Sequence, residues 1–103
     1  MKLKVSSVAD IGTISRAMRK TAKVRIDDLA ATAGLSKQFV TDVELGKPGV
    51  QFGKVLQMLD ELGIYVYVEA PDDCSSEIEP ARQQIQRTTH RRKIRANPEQ
   101  DTK

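Results

Sequence analysis

The chain has 103 residues, so it is long enough for one small domain and too short for two domains of ordinary size. Its 17 lysine and arginine residues against 14 aspartate and glutamate residues permit nucleic acid as a partner without requiring it. No stretch approaches the roughly 20 apolar residues of a membrane-spanning helix, and the single cysteine, Cys74, excludes an internal disulfide and suits a reducing compartment. We therefore expect a cytoplasmic protein that is neither exported nor embedded in a membrane.

The first predicted helix covers about residues 8–21. Ser7, followed three residues later by Asp10, is typical of a capping box at the start of a helix. Apolar residues then recur at helical spacing and predict one buried stripe. The predicted stripe consists of Ile11, Ile14, Ala17 and Met18.

Two short helical patterns follow, separated by a glycine. Residues 26–33 form the first, with Asp27 and Asp28 in the first turn, where the helix dipole favours carboxylates. Gly34 ends this helix because glycine adopts positive φ without strain. Ser36 is then placed to cap a third helix that runs to about residue 45.

A fourth helix is predicted from residue 50 to residue 62, with Gly63 as its C-terminal glycine. Its apolar positions are Phe52, Val55, Leu56, Leu59 and Leu62.

Residues 64–69 are β-branched or aromatic at nearly every position and predict a β-strand. We find no other strand candidate in the sequence, and a lone strand needs a partner. We therefore expect this strand to pair with its counterpart in a second copy and to form a homodimer. The alternative is an edge strand of an intramolecular sheet. The proposed dimer strand comprises Ile64, Tyr65, Val66, Tyr67 and Val68.

The composition of residues 71–103 predicts a flexible charged tail. The tail is acidic at first, and residues 82–95 then carry six basic side chains and no acidic one. Because it has few large apolar residues, we expect disorder when it is alone, apart from a short helix over residues 80–85. The basic run is either a solvated segment or an aid to phosphate or partner binding, and its lack of aromatic residues argues against base stacking.

Two short helices joined by a glycine-centred turn are typical of a helix-turn-helix, in which the second helix enters the DNA major groove. The alternative is a helical hairpin in an ordinary bundle. In residues 29–48, Ala30 is small where the helices approach, and Val40 anchors the second of them. Glutamine pairs with adenine, lysine donates to guanine and aspartate accepts from cytosine. The candidate base contacts are therefore Lys37, Gln38, Thr41 and Asp42.

The segment RIDDLAATAGLSKQFVTDVELGKP, from Arg25 to Pro48, resembles the Xre/Cro family of DNA-binding domains. The continuation through Leu62-Gly-Ile into a strand is similar to HipB-type antitoxins, which neutralise HipA-type kinase toxins and repress their own operon. This resemblance covers about residues 8–70. It implies an all-α, lambda-repressor-like bundle in residues 1–70, with the C-terminal strand pairing across a homodimer.

Carried over by position, the resemblance implies phosphate contacts at Ser36 and Lys47. Ile26 stands where the family often has a phosphate-binding glutamine, so we expect Arg25 to supply that contact as a charge. Phe39 stands where the family often has a small or polar residue, and it contacts either a thymine methyl group or a neighbouring side chain.

The resemblance also implies a buried ion pair between Arg19 in the first helix and Glu44 in the third. Loss of one partner of such a pair strands a buried charge.

The sequence thus predicts a repressor that binds a palindromic operator as a dimer, autoregulates its operon and, by resemblance, neutralises a HipA-type kinase toxin. The alternatives are a stand-alone Xre-family regulator and a protein-interaction module. One cysteine and one histidine cannot compose a zinc site, and the sequence has no glycine-rich phosphate loop or nucleophile–base pairing. We therefore expect no metal, no cofactor and no enzymatic activity.

Overall fold

The computed structural model describes the backbone of residues 1–96 and the side chains of residues 1–89. The chain divides into two compact units, Met1–Tyr67 and Val68–Lys103. The described part is helical and contains no β-strand. Its α-helices are α1 (Val8–Thr21), α2 (Ile26–Ala33), α3 (Lys37–Glu44), α4 (Phe52–Glu61) and α5 (Ser75–Ala96). A short 3-10 helix, Asp72–Cys74, precedes α5, and no helix in the described part is long and apolar enough to cross a membrane.

Local capping signals define the ends of the first three helices. The Asp10 carboxylate accepts a hydrogen bond of 3.2 Å from the Ser7 backbone N–H at the start of α1. Gly34 ends α2 in the left-handed conformation with φ of 72°. The Ser36 hydroxyl accepts a hydrogen bond of 3.0 Å from the Phe39 backbone N–H and so caps α3.

The core of the first unit lies among α2, α3 and α4 and consists of aliphatic side chains and Met58. Val40, Val43 and Met58 have no exposed surface at all. The eight buried apolar residues are Leu29, Ala30, Val40, Val43, Val55, Met58, Leu59 and Leu62. Burial of these side chains is the main favourable contribution to folding, since hydrophobic transfer is worth about 25 cal/mol for each Å² of apolar surface removed from water.

The buried face of α1 is shifted by one position along the helix from the predicted stripe. Gly12, Ser15 and Arg19 are buried, whereas Ile11 and Ile14 are half-buried and Met18 is exposed. The prediction was wrong at Ala17 and Met18 because α1 approaches α3 through its glycine and its arginine and not through its largest apolar side chains. On α4, likewise, Phe52 and Leu56 are exposed while Met58 is buried.

Gly12 marks the closest approach of α1 to α3. A Cβ atom at this position would lie 2.9 Å from the backbone carbonyl oxygen of Glu44 and closer still to that of Val43. We expect Gly12→Ala to lower the free energy of unfolding by about 1–3 kcal/mol, because backbone atoms cannot move aside as a flexible side chain does. Urea unfolding followed by circular dichroism measures this loss.

Gly53 in α4 provides the matched control, because a Cβ atom there would meet none of the described residues within 4 Å. Gly53→Ala should raise stability by up to about 1 kcal/mol, since alanine is the better helix former. Equal effects of the two substitutions would contradict the close approach at Gly12.

The segment after α4 has no regular secondary structure. Ile64 is half-buried against the core, whereas Tyr65 and Tyr67 are 80% and 85% exposed. A β-strand is defined by its pairing, and this segment pairs with no other described residue of a single chain. The strand shared by two copies therefore stays a prediction.

The second unit contains a helix where the sequence predicted a largely disordered tail. The helix α5 spans 22 residues instead of the short helix predicted over residues 80–85. Every residue from 75 to 89 is exposed, and the side-chain contacts there are local, such as the 2.8 Å ion pair between Arg82 and Glu79. The predicted helix was too short because Pro80 was its predicted start and the segment has no apolar stripe. The longer helix is favoured by the helix propensity of glutamate, glutamine and arginine. Flexibility of this unit stays a prediction, and residues 97–103, for which we expected no order, lie outside the described part.

Candidate nucleic-acid interface

The turn between α2 and α3 has a defined geometry. The Leu35 backbone N–H donates to the Ala30 carbonyl oxygen at 2.9 Å, and the Gly34 N–H donates to the Ala31 carbonyl oxygen at 3.3 Å. These bonds close the end of α2, and the Ser36 cap opens α3 two residues after Gly34. The N-terminal end of α3 is therefore held in place by backbone hydrogen bonds at the end of α2 and by the Ser36 side-chain cap at its own start.

The helix α3 has one buried face and one face that is open to solvent. Val40 and Val43 are fully buried against α2 and α4. On the opposite side, Lys37 and Gln38 are exposed, and Thr41 and Asp42 are partly exposed. Positions separated by four residues lie on the same side of a helix, so these four predicted base contacts share one surface. We call this surface, Lys37, Gln38, Thr41 and Asp42, the α3 face.

Phe39 makes one of the two contacts that the sequence left open. Its side chain is partly buried and packs against the core cluster, so it contacts neighbouring side chains of its own chain. It also lines a shallow groove of about 390 Å³ between α3 and the start of α4. The groove is lined by Phe39, Asp42, Lys47, Gly49, Val50, Gln51 and Lys54.

Asp27 lies between two cations at the edge of the α3 face. Its carboxylate is 3.0 Å from the Lys37 Nζ atom and 3.3 Å from the Arg25 Nη2 atom. The hydrogen bond from Lys37 is the main cause that lowers the pKa of Asp27, with a smaller contribution from the charge of Arg25. Asp27 thus connects the first turn of α2 with the first residue of α3.

Asp42 makes a second pair of contacts on the α3 face. It accepts a hydrogen bond of 2.8 Å from the Gln38 Nε2 atom and lies 3.1 Å from the Lys47 Nζ atom. These two bonds lower the pKa of Asp42, with the bond from Gln38 contributing most. A base or phosphate that contacts Gln38 or Lys47 has to compete with this carboxylate.

The predicted phosphate contacts lie at the ends of the two helices. Arg25 is the N-cap of α2 and Ser36 the N-cap of α3, while Lys47 follows α3. The side chains of Arg25 and Lys47 are 77% and 57% exposed, so each reaches solvent beyond its acidic partner. The Ser36 hydroxyl accepts from Phe39 and keeps its own proton for donation.

Comparison with known proteins agrees with this geometry. No protein-family model matches the chain. The chain is 42% identical over 73 residues to the uncharacterized HTH-type transcriptional regulator y4mF of Sinorhizobium fredii. This similarity covers 71% of the chain and 96% of the relative. The chain belongs to the HTH-type transcriptional regulators.

In this HTH-type regulator a buried ion pair joins α1 to the C-terminal end of α3. Arg19 Nε lies 2.7 Å from Glu44 Oε2, and Arg19 Nη2 lies 3.0 Å from Glu44 Oε1. The same guanidinium donates to the Val24 carbonyl oxygen at 3.0 Å. Glu44 raises the pKa of Arg19, and the two side chains are only 8% and 3% exposed. The structure thus brings together the two residues that the resemblance paired, and it places them in the interior and not on the α3 face.

Two residues of the regulator's candidate interface were missed in the sequence. In the sequence Asp27 indicates only a carboxylate at a helix N-terminus, because its contact with Lys37 spans ten positions and arises from the turn. Lys54 lines the groove beside Lys47. The only sequence signal for Lys54 was a basic residue in the first turn of α4, which by itself is ordinary.

Proposed function

We propose that this HTH-type regulator is a sequence-specific repressor that inserts α3 into the major groove of DNA. One observation carries the proposal. Four side chains able to contact base edges share the exposed α3 face, and the opposite side of the same helix is packed in the core. Arg25, Ser36 and Lys47 supply phosphate contacts, which give most of the affinity and its dependence on salt. The regulator acts in the cytoplasm as a binding protein and not as an enzyme.

Fluorescence anisotropy with the purified full chain tests this function. The probes are a duplex from the region upstream of its own gene, called the upstream duplex here, and a scrambled duplex of equal length, each at two salt concentrations. We expect tight binding at physiological salt to the upstream duplex alone. Equal and salt-sensitive binding to both duplexes would refute sequence-specific repression and leave only a basic surface that binds any DNA.

We further propose that the regulator binds as a homodimer whose 64–69 segments pair across a twofold axis. The segment belongs to no helix of the described part, and most of its large side chains are exposed. On α4, Phe52 is 57% exposed and Leu56 is 40% exposed one turn later, which adds apolar surface for a second copy to cover. A twofold dimer would place two α3 helices in half-sites about one helical turn apart on a palindromic operator.

Sedimentation measures this association directly. We expect a dimer at micromolar concentration, and Tyr65→Pro should shift the chain toward monomer because proline removes a backbone donor from the shared ladder. Tyr65→Thr is the matched control, since threonine keeps the N–H group and favours strands. A wild-type monomer at micromolar concentration would refute the shared strand.

The antitoxin role is a finer proposal, and it is supported only by the resemblance of the helix-to-strand ending to HipB-type proteins. In this role the dimer would hold a HipA-type kinase inactive while it is bound to its operator. Co-expression of the regulator with a kinase encoded beside it should restore growth that the kinase alone arrests. Continued growth arrest with intact DNA binding would identify a stand-alone regulator instead.

A further inference from the structure

Asp27 carries a negative charge where a DNA-binding surface is expected to be positive. Its carboxylate lies within 3.3 Å of both Arg25 and Lys37, a candidate phosphate contact and a candidate base contact. Phosphates repel a carboxylate whatever the base sequence, so Asp27 weakens binding to every DNA. By itself, this repulsion only lowers affinity for DNA.

Asp27 has a second effect, which is on the position of the Lys37 side chain. A free lysine side chain has many rotamers, and fixing it at an interface costs free energy. The 3.0 Å contact with Asp27 already restrains the Lys37 ammonium group beside the first turn of α3. A base edge at that place therefore meets a cation that is partly ordered, whereas a phosphate elsewhere has to draw it away from the carboxylate.

We propose that Asp27 is a specificity-determining residue that positions Lys37 for a base edge and withholds this lysine from non-specific phosphate contacts. This inference rests on the DNA-binding function proposed above. The inference gives Asp27 a role in discriminating between DNA sequences, and we expect the neighbouring Asp28 to lack that role. Asp28 is equally charged and exposed, yet it makes no ion pair with any residue of the described part.

The test compares Asp27→Asn with Asp28→Asn in the full chain. Both variants lose one negative charge at adjacent exposed positions, so the overall electrostatic change is matched. Binding to the upstream duplex and to the scrambled duplex is measured by anisotropy over a series of salt concentrations. Circular dichroism confirms that both variants are folded.

For Asp27→Asn we expect tighter binding to scrambled DNA, with a slope of log K against log salt steeper by about 0.9 because one cation becomes free to contact phosphate. The ratio of affinities for the upstream and scrambled duplexes should fall roughly two- to fivefold, the range expected for loss of one exposed ion pair. Asp28→Asn should raise both affinities alike and leave the ratio unchanged.

A double-mutant cycle shows whether Asp27 acts through Lys37. In a Lys37→Gln background, Asp27→Asn should no longer change the affinity ratio. An unchanged ratio in Asp27→Asn, or an equal change in Asp28→Asn, would overturn the assignment while the wild type still prefers the upstream duplex. A wild type without that preference would instead overturn the proposed function, and with it this inference.

Discussion

Arg19→Ala should lower the free energy of unfolding by about 3–5 kcal/mol, the largest effect that we expect from any single substitution in the regulator. Removing the guanidinium would leave the Glu44 carboxylate, whose side chain is 3% exposed, without the partner that holds both of its oxygens. It would also remove the donor to the Val24 carbonyl oxygen in the loop between α1 and α2. Urea unfolding followed by circular dichroism measures the loss, and DNA binding should disappear only where the protein unfolds.

Arg16→Ala is the matched control for this effect. Arg16 lies 3.6 Å from the same carboxylate, but its side chain is 57% exposed. Its replacement should cost less than about 1 kcal/mol, as is usual for exposed ion pairs. The double replacement of Arg19 by Met and Glu44 by Leu should recover much of the stability, because no charge is then buried. A loss below about 1 kcal/mol in Arg19→Ala would contradict a structural role for the pair.

The second large effect concerns DNA binding. Combined replacement of Lys37 and Gln38 by alanine should weaken binding to the upstream duplex by roughly 30- to 20,000-fold, since two good bidentate contacts to bases, at about 1–3 kcal/mol each, contribute about 2–6 kcal/mol together. Binding to scrambled DNA should fall much less, because the phosphate contacts proposed for Arg25 and Lys47 remain. Stability should change little, since both side chains are exposed.

Lys20→Ala controls for the lost positive charge. Lys20 is exposed in the last turn of α1, outside the α3 face. Its removal should lower affinity for both duplexes by a similar small factor and leave the preference for the upstream duplex intact. If the double variant kept that preference as well, the α3 face would not be the surface that contacts bases.

Much of the fold could be predicted because its signals are local. The end of α2 followed from Gly34, and the start of α3 followed from Ser36, since each residue adopts its conformation through contacts within a few positions. The inward position of Val40 followed from the helical period. The helix-turn-helix was recognisable because these signals occur together in one short segment.

What could not be predicted depends on contacts between elements. The buried face of α1 is set by how closely Gly12 lets α3 approach, and sequence polarity does not encode that distance. The pairing of Asp27 with Lys37 likewise exists only once the turn has brought two helix starts together. For α5 the competing signals were both local, and intrinsic helix propensity outweighed the interruption at Pro80.

The shortness of α2 and α3 couples recognition to folding. Each has eight residues, and isolated helices of fewer than about 12–15 residues are marginal in water. The α3 face therefore exists as a shaped surface only while the bundle holds it, so loss of the fold and loss of DNA recognition are one thermodynamic event. Conversely, bound DNA acts as a stabilising ligand, worth about 2.7 kcal/mol when its free concentration is a hundred times the Kd. Regulator bound to DNA would then outlast free regulator wherever survival depends on unfolding, such as attack by a protease.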